Sequence, residues 1–372
     1  MKRRKCYWIF FFFVFGLLSK QEIYAQEYPF SIPYKEIEEV LEEIGVQEKI
    51  GGFEEVVKKL LQGEYSLKNI WTAFKQMGWS TWKEDTKHIV RIFAIAVVAA
   101  IFTNFTQSLK QGQAAETGFF ISYMLITSAL LSVFGASKTI AELVLGQVLD
   151  FMKVLLPSYC IGIAFTNGSV SAATFYQGSL FAVMVAEWIM EQCILPICHL
   201  YFLISVMNHM MKEDFLSKLS DLLYQVASFL MKTTIACVVG IGTIQGMLAP
   251  AVDSLQRSVL LKTAGSLPGV GNLLTGVTQT VLSAGILLRN TIGVAGAIFV
   301  IGICILPLFR LFLLAVSYHM GVALLQPVSD KRILACFTVA GKAHMLLLQI
   351  VFYTALLFLL TILLIASALG MH

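Results

Sequence analysis

The chain has 372 residues, of which 57% are hydrophobic and 13% are charged, and its formal net charge is +4. A soluble globular domain carries about 25% charged residues, so this composition excludes a wholly water-soluble protein and indicates a polytopic membrane protein. Outside the extreme N-terminus the lysines and arginines form no dense patch, which argues against a nucleic-acid partner.

The N-terminus has the order of a secretory signal peptide. Four basic residues at 2–5 precede an apolar stretch over 7–18, and polar residues follow up to Ala25. This order predicts a signal peptide over 1–25 that is cleaved after Ala25. Ile23 stands where a small residue is usual, so an uncleaved first membrane anchor stays open as the alternative. Both interpretations place the following segment outside the cytoplasm.

Residues 26–88 are predicted to form a small helical segment outside the cytoplasm. They hold twelve of the 23 acidic residues of the chain. Apolar residues recur there at three-and-four spacing between glycines, which predicts two short amphipathic helices: Ile37, Val40, Leu41 and Ile44, then Phe53, Val56, Val57, Leu60 and Leu61. Two interpretations of the acidic faces remain open: solvated helix surfaces, or a docking surface for partner ectodomains, because so small a segment rarely builds its own core.

The remainder of the chain, residues 89–372, is predicted to be a polytopic membrane domain in the lipid bilayer. Its apolar stretches cover 89–105, 118–136, 158–190, 194–210, 226–249, 270–304, 305–325 and 345–369. About 20 apolar residues span a bilayer, so these stretches predict an all-α protein with seven to nine transmembrane helices. Loop charges are too sparse to predict the topology by the positive-inside rule.

The positions of the prolines predict an internal duplication. Four of the six prolines after residue 88 form two pairs with the same offset of 111 positions: Pro157 with Pro268, and Pro196 with Pro307. The proposed copies cover 118–210 and 229–321. If each copy holds an odd number of crossings, the two copies are inverted relative to each other, as in many transporters.

The duplicated prolines, together with Gly269 and Gly271, also predict breaks in membrane helices. Proline removes a backbone donor and glycine permits unusual dihedral angles, so the freed backbone groups need partners inside the protein or at a water-filled cavity. The glycine-rich stretch KTAGSLPGVGN at 262–272 is interpreted as such a structural joint. Its glycine spacing fits neither the phosphate-binding loop nor the dinucleotide fingerprint.

Three charged residues within or near apolar stretches are candidate intramembrane polar groups: Glu187, Glu191 and Arg310. The two glutamates are four positions apart, so we expect them on one helical face. Charged residues in membrane helices face the bundle interior or extend toward the interface. A coupling-ion relay through the two glutamates is therefore one interpretation, and hydrated residues near a segment end are the other.

No sequence motif predicts a catalytic, cofactor or metal site. The chain contains no H-E-x-x-H and no serine within G-x-S-x-G. Four residues separate Cys193 from Cys198, too many for a haem attachment motif. Neither His209 nor His319 has a second histidine or a cysteine at helical spacing. We therefore expect a protein that is not an enzyme, with no cofactor and no metal.

Three segments together resemble the stage III sporulation protein AE family of endospore-forming bacteria. They are KTAGSLPGVGN at 262–272, GAIFVIGICILPLFRLFLL at 296–314 and LLQPVSDKRI at 324–333. The last contains the family motif residues Gln326, Pro327, Asp330, Lys331 and Arg332. The resemblance is strong over 255–345, looser over the other membrane segments, and limited to the general layout before residue 88.

The resemblance implies a multi-pass protein of the mother-cell membrane around the engulfed forespore. It also implies a role in a channel or secretion-like assembly that links the two cells and supports late forespore gene expression. The implied partners are other membrane proteins of the same operon, including an ATPase and a ring-forming protein. The resemblance carries over no catalytic residue. A self-sufficient secondary permease for a small solute is the alternative function.

Overall fold

The computed structural model describes residues 34–62, six positions between 86 and 101, and residues 113–166, 169–210, 215–264, 271–327 and 330–367. The predicted signal peptide over 1–25 lies outside the described residues, and so do Pro268 and Gly269.

The described residues 34–62 form three short helices: α1 (Tyr34–Ile44), α2 (Gln47–Ile50) and α3 (Phe53–Leu61). Positive φ angles of 73° at Gly45 and 101° at Gly51 end α1 and α2, in a backbone region that glycine adopts without steric cost. Ion pairs of 2.6 Å join Glu54 to Lys58 and Glu55 to Lys59 along α3. The amphipathic helices predicted from the sequence are confirmed.

Five long helical segments form the bundle: α4 (Gln113–Thr166), α5 (Ser169–Trp188) joined through a π-helical turn (Ile189–Ile194) to α6 (Leu195–Met210), α7 (Ser217–Ala264), α8 (Gly271–Leu325) and α9 (Lys331–Ser367). Each described segment is long and apolar enough to cross a membrane. The shortest apolar part has 29 residues, about 44 Å of helix against a hydrocarbon thickness of ~30 Å. Each helix therefore either tilts or projects beyond the hydrocarbon layer.

The expectation of seven to nine crossings is not confirmed, because the described residues contain five candidate spans. Stretches that the sequence separates belong to single helices in the structure. The stretches at 270–304 and 305–325 both lie in α8, and those at 158–190 and 194–210 meet in the continuous α5–π–α6 segment.

The prolines account for this difference. Pro157 lies inside α4 and Pro307 inside α8, and both helices continue beyond them. Neighbouring helices can satisfy the backbone groups that a proline frees, so a membrane helix tolerates it. In the glycine-rich stretch, α7 ends at Ala264 and α8 begins at Gly271. The residues between these two helices, including Pro268 and Gly269, lie outside the described residues, so the joint there stays a prediction.

The last helix, α9, occupies the centre of the bundle. It packs against α4, α6, α7 and α8, and its middle residues Leu346, Leu347 and Ile350 are completely buried. Glycines bring α8 close to α4: a Cβ atom at Gly293 would lie 3.1 Å from the ring of Tyr159. The absence of a side chain at Gly293 thus lets these two helices approach closely.

The duplication stays a prediction. In the proposed first copy, α4 and α5 pack extensively against each other. In the second copy, the described parts of α7 and α8 share no comparable contact surface, and α7 packs instead on α5 and α6. The described helices of the two copies therefore differ in how they pair.

The N-terminal helices pack on the outside of the bundle. Helix α1 contacts α4, and α3 contacts α8. The apolar stripe of these helices supplies the contact, with Ile37, Leu41, Phe53, Val56 and Val57 buried. These side chains join the core of the membrane domain, so this small segment obtains its core from the bundle.

Candidate functional site: buried polar groups in the helix bundle

Glu187 is the buried acidic side chain of the described bundle. It lies in the last turn of α5 and is only 4% exposed. Its Oε1 atom has no hydrogen-bond partner in the structure. Burying a charged group without a partner is costly. The position therefore suits a carboxyl group that has a specific chemical role.

The electrostatic surroundings of Glu187 come from two directions. Glu191 on the π-helical turn and Asp150 and Lys153 on α4 are the charged groups that act on it. The Lys153 ammonium donates to Asp150 Oδ1 at 2.7 Å, so its charge is largely matched by Asp150. Glu187 in turn acts electrostatically on the buried thiol of Cys304 in α8.

The helix changes its hydrogen-bond pattern directly after Glu187. The segment Ile189–Ile194 is π-helical, and the Leu195 N–H donates to the carbonyl of Met190, five residues earlier. Pro196 follows and has no N–H, so it frees one more carbonyl of this turn. A π-turn inside an α-helix is uncommon and frequently marks a functional site. The break predicted at Pro196 therefore corresponds to an irregular turn within a continuous helix.

The other two predicted intramembrane charges differ from Glu187 in exposure. Glu191 is exposed, and Arg310, in the middle of α8, is half-buried. Glu191 nevertheless acts electrostatically on Glu187, as expected for glutamates one turn apart. Among the described residues no group of three histidine, cysteine or acidic side chains is arranged to hold a metal ion.

A second buried polar pair joins α4 to α9. The Nε2 atom of His344 lies 3.1 Å from Ser137 Oγ, and its Nδ1 atom lies 2.8 Å from the carbonyl oxygen of Ala340. A carbonyl only accepts, so Nδ1 carries the proton and, in a neutral ring, Nε2 is an acceptor. The single Ser137 hydroxyl proton is shared between Nε2 and the Val133 carbonyl oxygen, 2.9 Å away. The ring also lies against Phe134 and Tyr318. This packing leaves the pair enclosed by side chains.

Three helices meet at the Tyr123 hydroxyl. Tyr123 of α4 donates to the carbonyl oxygen of Val206 in α6 at 2.5 Å. The same hydroxyl lies 2.8 Å from the Sγ atom of Cys336 in α9. One side chain thus links the helices α4, α6 and α9.

The family motif residues lie at the start of α9. The Arg332 N–H donates to Asp330 Oδ1 at 2.8 Å, so Asp330 caps this helix and satisfies one of its free N–H groups. The Arg332 guanidinium lies 3.7 Å from the centre of the Phe119 ring in α4, a cation–π contact. Gln326, Pro327 and Lys331 are exposed around this corner. The motif is therefore a helix cap with a cross-helix anchor.

The N-terminal helices present an acidic surface to solvent. The acidic face of α1 consists of exposed glutamates: Glu36, Glu39, Glu42 and Glu43. At the edge of the docked segment, burial and the nearby Glu54 carboxylate raise the pKa of Tyr34 to about 12. The Lys59 ammonium holds the pKa of the exposed Glu55 below its usual range.

Sequence reasoning missed the pairs Ser137–His344 and Tyr123–Cys336. Their partners are 207 and 213 positions apart, and no local spacing connects them. The available signal was the presence of His344 inside an otherwise apolar stretch, since buried polar groups in a membrane need partners.

Comparisons with known proteins identify the family. The family model described as stage III sporulation protein AE matches residues 52–369 of the chain. The chain belongs to this sporulation protein family. It is also similar to stage III sporulation protein AE of Bacillus subtilis (strain 168), at 24% identity over 278 residues, which cover 74% of this chain and 70% of that protein. No solved structure matches the chain.

The residues that match the family model cover most of the described molecule. They begin beside α3 and run to the end of α9, so they include Glu187, the π-helical turn and the motif at Asp330. Helix α1, with its acidic face, lies before the matched residues. The chain is accordingly a helical membrane protein of a sporulation family.

Proposed function

We propose that this chain is a non-enzymatic integral membrane subunit of a sporulation channel or secretion-like complex. The complex would link the mother cell and the forespore and be needed for late forespore gene expression. The subunit would lie in the mother-cell membrane around the forespore. Membership of the sporulation family and the described helical bundle support this proposal.

The observation that carries the proposal is the difference between the two faces of the N-terminal helices, one apolar and one acidic. Their apolar face is packed on α4 and α8, whereas the acidic face of α1 points away from the bundle. A charged surface on a fixed platform favours association with partners through complementary charge. The proposed partners are other membrane proteins of the same operon, including an ATPase and a ring-forming subunit.

The test is affinity purification of the tagged full chain from sporulating cells in mild detergent, followed by mass spectrometry. Stoichiometric recovery of other membrane proteins and an ATPase is expected. Deleting the whole N-terminal segment would expose the apolar surfaces of α4 and α8, so a surface variant is the sharper probe. Glu36→Gln, Glu39→Gln and Glu43→Gln together remove acidic charge from α1 and leave its buried face unchanged.

A matched control exists in α3. Glu54→Gln with Lys58→Gln removes an exposed ion pair and leaves the net charge unchanged. We expect the triple variant of α1 to lose partners and to block sporulation at normal expression, and the α3 control to retain both. Equal recovery of partners from both variants would show that the acidic face of α1 does not bind them.

One observation favours a second candidate, a self-sufficient permease for a small solute. Glu187 places an unpartnered carboxyl oxygen inside a candidate membrane span, as coupling-ion sites in transporters do. Purification of a stable monomer or homodimer without partners would favour this function. Transport assays on Glu187 and Glu191 variants would then follow.

A further inference from the structure

The buried carboxyl of Glu187 lies in an environment that accommodates only its uncharged form well. Oε1 has no hydrogen-bond partner, and Lys153, the cation that acts on Glu187, is already paired with Asp150. A protonated carboxyl carries no charge and gains an O–H donor, so proton binding removes the cost of burying an ion there. We propose that Glu187 is a proton-binding site, and that release of its proton loosens the packing of α5 against α4 and of the π-helical turn against α7.

The groups around Glu187 favour a proton over a metal ion as the ligand. Those that act on it are Asp150 and Lys153 from α4 and Glu191 from the π-helical turn, and Glu187 itself acts on the thiol of Cys304 from α8. Helices α7 and α9 also pack near this segment, and none of their described titratable groups is among those that act on it. These neighbours do not form a set of three metal ligands.

The helix is irregular directly after Glu187. The π-helical turn starts two residues after Glu187 and ends two residues before Pro196. Helical hydrogen bonding is thus irregular on one side of the carboxyl, because π-turns widen the helix and proline removes a donor. An ionised Glu187 would need water, and displacement of this turn is the change that costs the fewest regular helical hydrogen bonds.

Cys304 is a native reporter for this movement. Its side chain is 1% exposed, and the Glu187 carboxylate acts on its thiol electrostatically. In a variant of the full chain whose other cysteines are replaced by alanine, the rate at which N-ethylmaleimide modifies Cys304 measures its exposure. Glu187→Gln fixes the uncharged state, and Glu191→Gln is the matched control one turn away.

The parent here is the chain that keeps Cys304 as its cysteine, and the quantity compared is its Cys304 modification rate divided by that of its E187Q variant. We expect this ratio to rise about tenfold between pH 6 and 9, equivalent to a free-energy difference of about 1.4 kcal/mol. Electrostatics alone would act in the opposite direction, because a carboxylate beside the thiol disfavours the reactive thiolate. A rising ratio therefore reports opening. The E191Q control should keep the rise of the ratio but place it at lower pH, because it removes a carboxylate that acts on Glu187.

A flat or falling ratio would overturn the proposal, and so would a ratio that follows the sodium concentration at constant pH. Loss of the pH dependence in E191Q but not in E187Q would assign the proton to Glu191 instead. Infrared spectroscopy of the chain with its native cysteines gives a second measurement. The carbonyl band of a protonated carboxyl should be present at pH 7 in the parent and missing in E187Q; identical bands would contradict the assignment. Neither result depends on whether the chain is a complex subunit or a permease.

Discussion

The ring of Phe53 lies 5.5 Å from the ring of Phe299, centroid to centroid, and this contact joins the N-terminal helix α3 to the membrane helix α8. Phe299 in turn lies 6.1 Å from Phe151 of α4. The three rings connect the N-terminal segment to two helices that are distant in sequence. The segment before the membrane domain is therefore part of its packed core.

Phe53→Ala should release α3 from the bundle. Phe53 is completely buried, and replacing a buried phenylalanine by alanine costs about 3–5 kcal/mol. Hydrogen–deuterium exchange of residues 34–61 in the detergent-purified chain measures the effect, and we expect faster exchange there with the membrane helices unchanged. Glu55→Ala, on the exposed side of the same helix, is the control. Equal protection in both variants would contradict docking through Phe53.

Gly302→Leu should displace α2 from α8. A Cβ atom at Gly302 would already meet the end of the Ile50 side chain and lie 3.4 Å from Val46, and a leucine would need considerably more space. Gly146→Leu is the matched control, because nothing lies within 4 Å of a Cβ atom at Gly146 in α4. Limited proteolysis should cleave the N-terminal segment of the Gly302 variant at least several-fold faster than that of the control; similar rates would mean that this close approach is unimportant.

The buried face of the N-terminal helices could be predicted from the sequence, but the surface that covers it could not. The spacing of Ile37 and Leu41 sets the buried face of α1 through the helical period alone. The surfaces that cover the apolar stripe come from residues such as Phe151 and Phe299, more than 90 positions away. Periodicity describes one helix, and it carries no information on which other helix covers it.

Asp330→Ala should destabilise the start of α9 by about 1 kcal/mol, the usual value of an N-cap side chain. Asp330→Asn should restore most of the stability, because asparagine also accepts from the Arg332 N–H. The Arg332 side chain lies 3.7 Å from Asp330 and is partly exposed, so loss of that ion pair has little effect. Thermal unfolding followed by circular dichroism separates these cases. If the asparagine variant is as unstable as the alanine variant, the charge and not the cap is what matters.

Ser137→Ala should lower stability through an effect on His344. The substitution removes the partner of the buried Nε2 atom, and an unsatisfied buried polar atom costs about 1–3 kcal/mol. Ser122→Ala is the matched control: Ser122 is also buried in α4, and its hydroxyl donates to the Gly118 carbonyl of its own helix. We expect a clear fall in the unfolding temperature for the first variant and a small one for the control. Comparable falls would indicate loss of side-chain packing alone.

The number of helices was predicted less well than their positions, and the prolines explain why. Pro157 and Pro307 are typical helix breakers in water, where a lost hydrogen bond ends the helix. In the described bundle their helices continue, because neighbouring helices constrain the backbone on both sides of each proline. Pro196 has a local effect, next to the π-helical turn, and nothing in its sequence context distinguishes it from the other two.

Tyr34 makes the docking of the N-terminal helices sensitive to alkaline pH. Burial, reinforced by the Glu54 carboxylate, raises its pKa from 10.0 to about 12. The docked state binds the phenol proton of Tyr34 more tightly than the free state. Proton binding therefore stabilises docking, and this contribution is fully present below pH 10. This contribution is lost as the pH rises through 12. Hydrogen exchange of residues 34–61 should therefore accelerate across that interval.

Tyr34→Phe isolates this contribution from other groups that titrate at high pH. Phenylalanine keeps the ring that lies 6.1 Å from Phe53 and removes the ionisable hydroxyl, whereas Lys58 and Lys59 are unchanged in both chains. The difference in protection between the parent and the variant should be constant up to pH 10 and change toward pH 12, with the parent losing protection first. A constant difference over the whole range would show that Tyr34 is equally easy to ionise whether or not α1 is docked, and that the N-terminal helices are held by apolar contacts alone.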